Sequence, residues 1–345
     1  MIEQKEEISE FMIDQIPEEQ DIQEIVFNLM ADPNLAPINY FNDFSEESVD
    51  VTSMSNDETD ETGIFCSENG QLMAMTTHAL HHHLEFDPKQ ATEILIARAV
   101  RKMICFGAVP EAVSAFLYHI NIADPNGQFI ASGAKNGLVN ACNKFNIKLT
   151  DRKIRFDYFS GHGPVYPTII ISLLGNVPDK EKIVTHTFKK KGNNIFMIGG
   201  SYDDINSSEY LEFYHEISQS ALPVFDIEVE MSLHNVMKRL IAEGLLSSAN
   251  PVGKGGLFFS LLRAGMPSGL GFDITTDAEI RRDAFLFGEA MGRVVVGVAP
   301  SKVDDFVDLM CELKVPFFAL GHVTKGEIRI DDDSFGYIDK MTPPN

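Results

Sequence analysis

The stretch GLLSSANPVGKGGLFFSLLRAG, residues 244–265, constrains this chain more than any other. It reads as the end of one helix, a loop carrying Pro251 and the glycines 253, 255 and 256, and a second helix over residues 257–263. Adjacent glycines let backbone amides come close to a ligand or to another segment. At a helix N-terminus that geometry suits phosphate, because unpaired N–H groups and the positive end of the helix dipole point outward. Close helix packing is the competing explanation, and a GxGG alone does not separate the two.

Around this loop the apolar pattern alternates between strand and helix periods. QLMAMTTH (71–78) reads as a strand, and Asp87-Pro88 opens a helix over residues 89–105 with Ala91, Ile94, Leu95, Ala99 and Ile104 on its apolar face. AVSAFLYHINI (112–122) is a strand, residues 128–145 a second helix, and KIRFDYF (153–159) and PTIIISLLGNV (167–177) are strands. The last is apolar at successive positions, which predicts a central strand. Beyond residue 182 come a buried strand over 193–200, a helix over 233–243 with Val236, Leu240 and Ile241 inward, a strand over 293–300, a helix over 301–313, and closing strands PFFALGHV and EIRIDD. Upstream, residues 3–16 (Ile8, Phe11, Met12, Ile13) and 18–31 (Ile22, Ile25, Val26, Leu29, Met30) show amphipathic helical patterns. Residues 42–62 read as polar, acidic loop.

The fold class is therefore α/β, in the α+β sense. A 345-residue chain with 44% hydrophobic residues can bury a large core, divided over about two domains. The expected division is an acidic helical arm and linker over 1–62, a first α/β domain over 63–181 and a second over 182–345. No apolar run approaches the ~18 residues a membrane span needs, and the acidic start MIEQKEEISEF is neither a secretory nor a transit signal. The cysteines 66, 105, 142 and 311 are scattered, which suits free thiols in a reducing cytoplasm. Residues 6–88 hold twenty Asp and Glu and no Lys or Arg, so of the net charge of −23 only −23 − (−20) = −3 lies elsewhere. Such an acidic segment excludes nucleic acid as its partner. It reads as a solvated arm, or as one that docks on a basic surface.

Four blocks in this order, residues 72–88, 94–113, 244–265 and 284–300 (AFLFGEAMGRVVVGVAP), resemble the phosphoribosylformylglycinamidine (FGAM) synthase family, specifically the second half of its small form, within the wider superfamily of aminoimidazole ribonucleotide synthase. The resemblance runs over roughly residues 24–330 and implies a two-domain fold. In it, a first, ferredoxin-like domain forms a barrel with its dimer mate, and the second domain is an α/β sandwich. It also implies an ATP-dependent reaction that activates an amide oxygen and adds ammonia, with Mg²⁺ neutralising the phosphates.

The family's nucleotide site in this half takes an Asp after Thr-Thr, a Glu and an Asn one turn apart on the next helix, and an Asp before the Gly-rich loop. The matching residues here are His78, Arg98, Lys102 and Pro251 (after Asn250), and Lys254 stands in the loop where the family tends to an acid. None is a carboxylate, the ligand that hard cations prefer. At ~4 Å and an effective dielectric near 20, each unit of like charge costs about 4 kcal/mol, doubled for a divalent ion. Mg²⁺ is therefore disfavoured at the family position. Two readings stay open: the cations hold an anion directly, or the site is vestigial and they pair with acids elsewhere. His78, Arg98, Lys102, Lys254, Gly255 and Gly256 are the candidate nucleotide- or anion-binding residues. Glu289 and Arg293, four apart, are structural candidates expected to form a buried ion pair. The cluster His78, His81, His82 and His83 is either a transition-metal site or a polar loop, with no acid or Cys completing a ligand set. Ser160-Gly161-His162 lacks a third relay partner, and no catalytic residue is assigned.

The functional expectation is a cytoplasmic, FGAM-synthase-like protein related to purine biosynthesis with a degenerate metal-nucleotide site. It would act as a non-catalytic homodimer or as the partner of a separate catalytic synthase subunit, without nucleic acid or membrane as partner. The alternatives are an active ATP-dependent C–N ligase using ATP or ADP, and a protein that binds a small phosphorylated metabolite in the cleft between domains.

Overall fold

The computed structural model describes residues 16–35, 62–67, 70–154, 159–160, 163–164, 166–218 and 220–341. The helical pattern at 3–16 and the polar stretch at 42–62 lie almost wholly outside these. The first helix, α1 (Ile22–Leu29), starts at Asp21, whose side chain accepts from the Glu24 amide at 3.0 Å. It is shorter than the 18–31 pattern, and the faces named from the sequence are the ones buried: Ile22, Ile25, Val26 and Leu29. Residues 16–35 of the expected solvated arm instead pack into the core of the second half of the chain with Leu211, Leu257 and Phe287, and the rest of residues 1–61 lies outside the described residues.

The first sheet has the order β1-β2-β7-β3-β4. Its strands are β1 (Thr62–Cys66), β2 (Leu72–Leu80), β3 (Val109–Tyr118), β4 (Lys148–Ile154) and β7 (Thr168–Asn176), with the two-residue strands β5 (Phe159–Ser160) and β6 (Gly163–Pro164) paired aside. All pairs in it are antiparallel except β3 with β4. The apolar run of β7 lies at the centre, as its composition predicts. The strand expected over 153–159 instead begins at Lys148, because β4 pairs with β3 from Ala112 onward. Helices α2 (Pro88–Cys105) and α3 (Pro125–Phe145) pack together and cover one face of the sheet. Asp87 caps α2, accepting from the Lys89 and Gln90 amides, and Pro88 fits the first turn, where no N–H partner exists. Alternation along β7 sends Ile169, Ile171 and Leu173 into that core. Ile170, Ser172 and Leu174 fall on the other face, beside Phe116 and Ser114 of β3 in register.

The second sheet has the order β14-β13-β10-β12-β8-β11-β9. It comprises β8 (Asn194–Ile198), β9 (Ser248–Pro251), β10 (Phe272–Ile274), β11 (Val294–Val298), β12 (Phe317–Val323), β13 (Glu327–Ile330) and β14 (Asp333–Tyr337). Both faces are covered. Phe196 and Ile198 of β8, with Val294, Val296 and Val298 of β11, meet α4 (Ile227–Ala242) and α7 (Val303–Leu313) in the core that also holds the first sheet. Ile195, Met197 and Val295 face α5 (Gly256–Gly265), α6 (Arg282–Phe287) and α1. A strand buried on both faces reads as an unbroken apolar run, which is why FMI and VVV show no alternation. Two expectations need correction. Helix α4 starts at Ile227, capped by Asp226, six residues before the predicted 233. Pro251 is not in the loop: it ends β9, an edge strand where proline leaves no ladder hydrogen bond unmade.

Truncating Ile171, fully buried against α2, should cost about 2–5 kcal/mol, whereas Ile170→Ala on the opposite face should cost under about 1.5 kcal/mol in an isolated chain. Urea unfolding of both variants checks this. An equal cost at both positions would mean that the second face is also covered.

Candidate functional site

The Gly-rich loop joins β9 to α5. Gly255 and Gly256 have φ of +75° and +69°, values that residues with a Cβ rarely adopt. A Cβ on Gly256 would lie 2.6 Å from the Leu286 carbonyl oxygen, and one on Gly255 2.8 Å from Leu35 Cδ2. Close packing thus requires both glycines. Their amides are also engaged: Gly256 donates to the Gly253 carbonyl and Gly255 donates to Glu289 Oε1, each at 2.9 Å.

Glu289 gathers the site. The same oxygen accepts from the Glu209 amide at 2.9 Å, and Arg98 Nη2 stands 3.7 Å from Oε2. Burial pushes the Glu289 carboxyl up and the Arg98 guanidinium down, each against the opposing charge of the other. Lys254 Nζ reaches Glu209 Oε1 at 2.6 Å, and Asn34 Nδ2 donates to Glu209 Oε2 at 3.2 Å. Burial raises Glu209, but the Lys254 charge and the hydrogen bonds outweigh it and leave the carboxyl below its ordinary range. The predicted residues Arg98, Lys254, Gly255, Gly256 and Glu289 therefore belong to one connected cluster. Arg293 lies close by, but the expected Glu289–Arg293 pair does not form. Arg293 donates to the carbonyls of Ala290 (3.1 Å) and Gly288 (2.6 Å), and burial lowers it to about 10. The i, i+4 spacing misleads because the turn at 288–293 is not helical. His78 is placed by the first sheet, half-buried on the face toward α2, with Nε2 3.1 Å from Thr76 Oγ1. Lys102 lies in the last turn of α2, one turn beyond Arg98.

A second buried pair, not foreseen from sequence, lies one turn along α2. The Arg101 guanidinium contacts the Glu230 carboxylate of α4, both side chains being 1% exposed, and donates to the Val252 carbonyl at 3.2 Å. Glu230 also accepts from the Gly292 amide at 2.8 Å and stands 3.2 Å from His234 Nε2. Burial raises Glu230, but Arg101 and His234 outweigh it and bring it below its usual range; burial lowers His234. Met291 Sδ lies 3.4 Å from Arg98 Nε and 3.7 Å from Arg101 Nη2, between the two pairs. The signal in the sequence was the i, i+3 spacing of Arg98 and Arg101, which sets both on one helix face.

Among the described residues, no group of three or more His, Cys, Asp or Glu is placed to hold a metal. A surface depression of about 370 Å³ between α4 and α7, lined by Arg239, Glu243, Asp305, Asp308 and Glu312, involves none of the candidate residues. No helix of the described residues is long and apolar enough to cross a membrane.

The N-terminal domain of AIR synthase related proteins matches residues 59–177, and their C-terminal domain matches residues 190–333. The chain belongs to the AIR synthase related family. It is 27% identical over 316 residues to phosphoribosylformylglycinamidine synthase subunit PurL of Moorella thermoacetica, a match that covers 92% of this chain and 43% of that protein. It superposes on T. maritima PurL complexed with FGAR with a TM-score of 0.75 at 14% identity, covering 95% of this chain and 55% of the other. The structure of PurLQS from Thermotoga maritima gives a TM-score of 0.67 at 16% identity over 83% of this chain and 47% of that one. The chain thus spans about half the length of the relatives it matches.

Replacing Arg101 with Met should leave Glu230 buried beside an apolar side chain and cost about 3–5 kcal/mol, whereas the double change Arg101→Met, Glu230→Met should recover most of that loss. Thermal unfolding of the single and double variants measures both.

Proposed function

We propose that this chain is an FGAM-synthase-like protein of purine biosynthesis whose metal-nucleotide site is degenerate. It acts in the cytoplasm as a non-catalytic homodimer or as the partner of a separate catalytic subunit, with division points near residues 62 and 181. The observation that carries the reading is the Glu289 carboxylate. It occupies the Gly255 amide and faces Arg98, the donors that an anion at this loop would use. Lys254 is likewise bonded to Glu209. At the four positions that the family resemblance gives to the magnesium-nucleotide site, His78, Arg98, Lys102 and Pro251 offer no carboxylate oxygen. These residues do not fit Mg²⁺. A partnered state is supported by the sheet face carrying Ile170, Leu174 and Phe116, with Met75 exposed beside them; buried sheet faces are the rule where no partner is needed.

Thermal unfolding with ATP or ADP, each with and without Mg²⁺, tests this. A ligand at 100 times its dissociation constant adds about 2.7 kcal/mol, a rise of several degrees. No rise is expected with any nucleotide. A magnesium-dependent rise would overturn the degenerate site in favour of a ligase, and a magnesium-independent one would favour an anion site built on Arg98, Lys102 and Lys254.

A further inference from the structure

We propose that residues 16–35 form a pH-controlled strap over the Gly-rich loop, closed while the carboxyls of Asp32 and Glu209 share a proton and loosened when that proton is lost. The inference stands apart from whether the loop binds a nucleotide. The strap is held at two ends. At its start, Arg281 donates to the carbonyls of Ile16 (2.7 Å) and Pro17 (3.2 Å), and the Glu19 amide donates to Asp283 at 3.2 Å. At its end, Leu35 lies against Gly255, and Asn34 donates to Glu209. Between them α1 buries its apolar face.

The far end carries a charge conflict. Asp32 is 1% exposed, and its Oδ1 accepts from the Asn34 amide at 2.8 Å. Its Oδ2 is buried and finds no N–H or O–H donor, while the carboxyl meets that of Glu209. The charged groups facing this contact are Glu209, Lys254 from the Gly-rich loop and, beyond Glu209, Glu289 and Arg98. Lys254 is already bonded to Glu209, and Arg98 stands against Glu289. Two buried carboxylates thus face one cation, and a proton between them removes the repulsion, as in other close carboxyl pairs. Burial, seconded by the Glu209 charge, pushes Asp32 up to about 7, while Glu209 stays ionised on Lys254.

A released strap returns Asp32 to its ordinary value of 3.8. Between that value and about 7 the docked strap holds a proton that the free strap does not. Docking is strongest below this window, weakens by up to roughly tenfold per pH unit within it, and levels off above. Release uncovers the Gly255 backbone and frees Glu209 from Asn34.

Hydrogen exchange of the full chain, followed by mass spectrometry and corrected for intrinsic exchange chemistry, tests this across about pH 5 to pH 8. Opening of α1 should rise at least roughly tenfold over that range, with no matching rise in α4. Asp32→Asn keeps the shape and should keep α1 protected with a flat pH response. If that variant does not fold, Glu209→Gln should make the response shallower without abolishing it, since the neighbouring carboxylate is gone but burial still favours protonated Asp32. A flat response in the unaltered chain, a slope retained in Asp32→Asn, an undiminished slope in Glu209→Gln, or a slope shared equally by α4 would overturn the strap.

Discussion

One buried carboxylate, that of Glu289, ties together three segments remote in sequence. Its Oε1 takes the amides of Gly255 and Glu209, and its Oε2 faces Arg98 on α2. The first amide fixes the Gly-rich loop, the second fixes the segment that receives α1 from below, and the guanidinium fixes the helix that carries the first sheet. A buried charge costs far more unpaired than paired, so each segment holds the other two in register. Desolvation acts on both partners, raising Glu289 and lowering Arg98, so the pair adds little net stability. What it adds is definition of one arrangement over others that would strand a charge.

The glycines of the loop show the same economy of space. Both lie at positive φ, and both would collide with neighbouring backbone or side chains if given a Cβ. Gly256 meets the carbonyls of residues 286–288 and Gly255 meets Leu35, so the helix, the turn before β11 and the strap converge within one residue's width. A loop built this tightly is a packing element as much as a ligand cradle. Which role it keeps depends on what its amides face.

Much of this was legible in the sequence. The period-2 and period-3.6 patterns located β2, β7, β8, β11 and helices α2, α3 and α7, and the unbroken apolar runs marked the strands covered on both faces. The blocks around residues 244–265 and 284–300 pointed to the family. Short strands such as β10 and β14 escaped, because three to five residues carry too little periodicity to stand out. The start of helix α4 is hard to read from the sequence because its first turn, IEVE, is acidic and half-exposed, and only the Asp226 cap marks it. The site divided along the same line. Arg98, Lys254 and the glycines were found because a motif framed them. Arg101, Glu230, Glu209 and Asp32 were missed because their partners lie 129, 45 or more residues away, and no local spacing announces a contact that only tertiary packing creates.

The charges on α2 explain how the two halves of the chain are held together. Arg98 faces Glu289 and Arg101 contacts Glu230, so the interface between α2 and the second sheet's layer is close to neutral at these pairs. The resemblance gives position 98 a Glu in the synthases. A Glu there would set two carboxylates against each other at the Gly-rich loop and shift the local charge by two units. Such a pair must take up a proton or a cation, and a divalent ion with a polyphosphate attached is one way to satisfy it. With Arg at 98 the same surfaces close on themselves: the guanidinium supplies the positive charge, and Glu289 supplies the anion that the Gly255 amide would otherwise seek. On the proposed reading, a single change of sign on one helix face would turn a site that needs a ligand to be electrically complete into one that is complete alone.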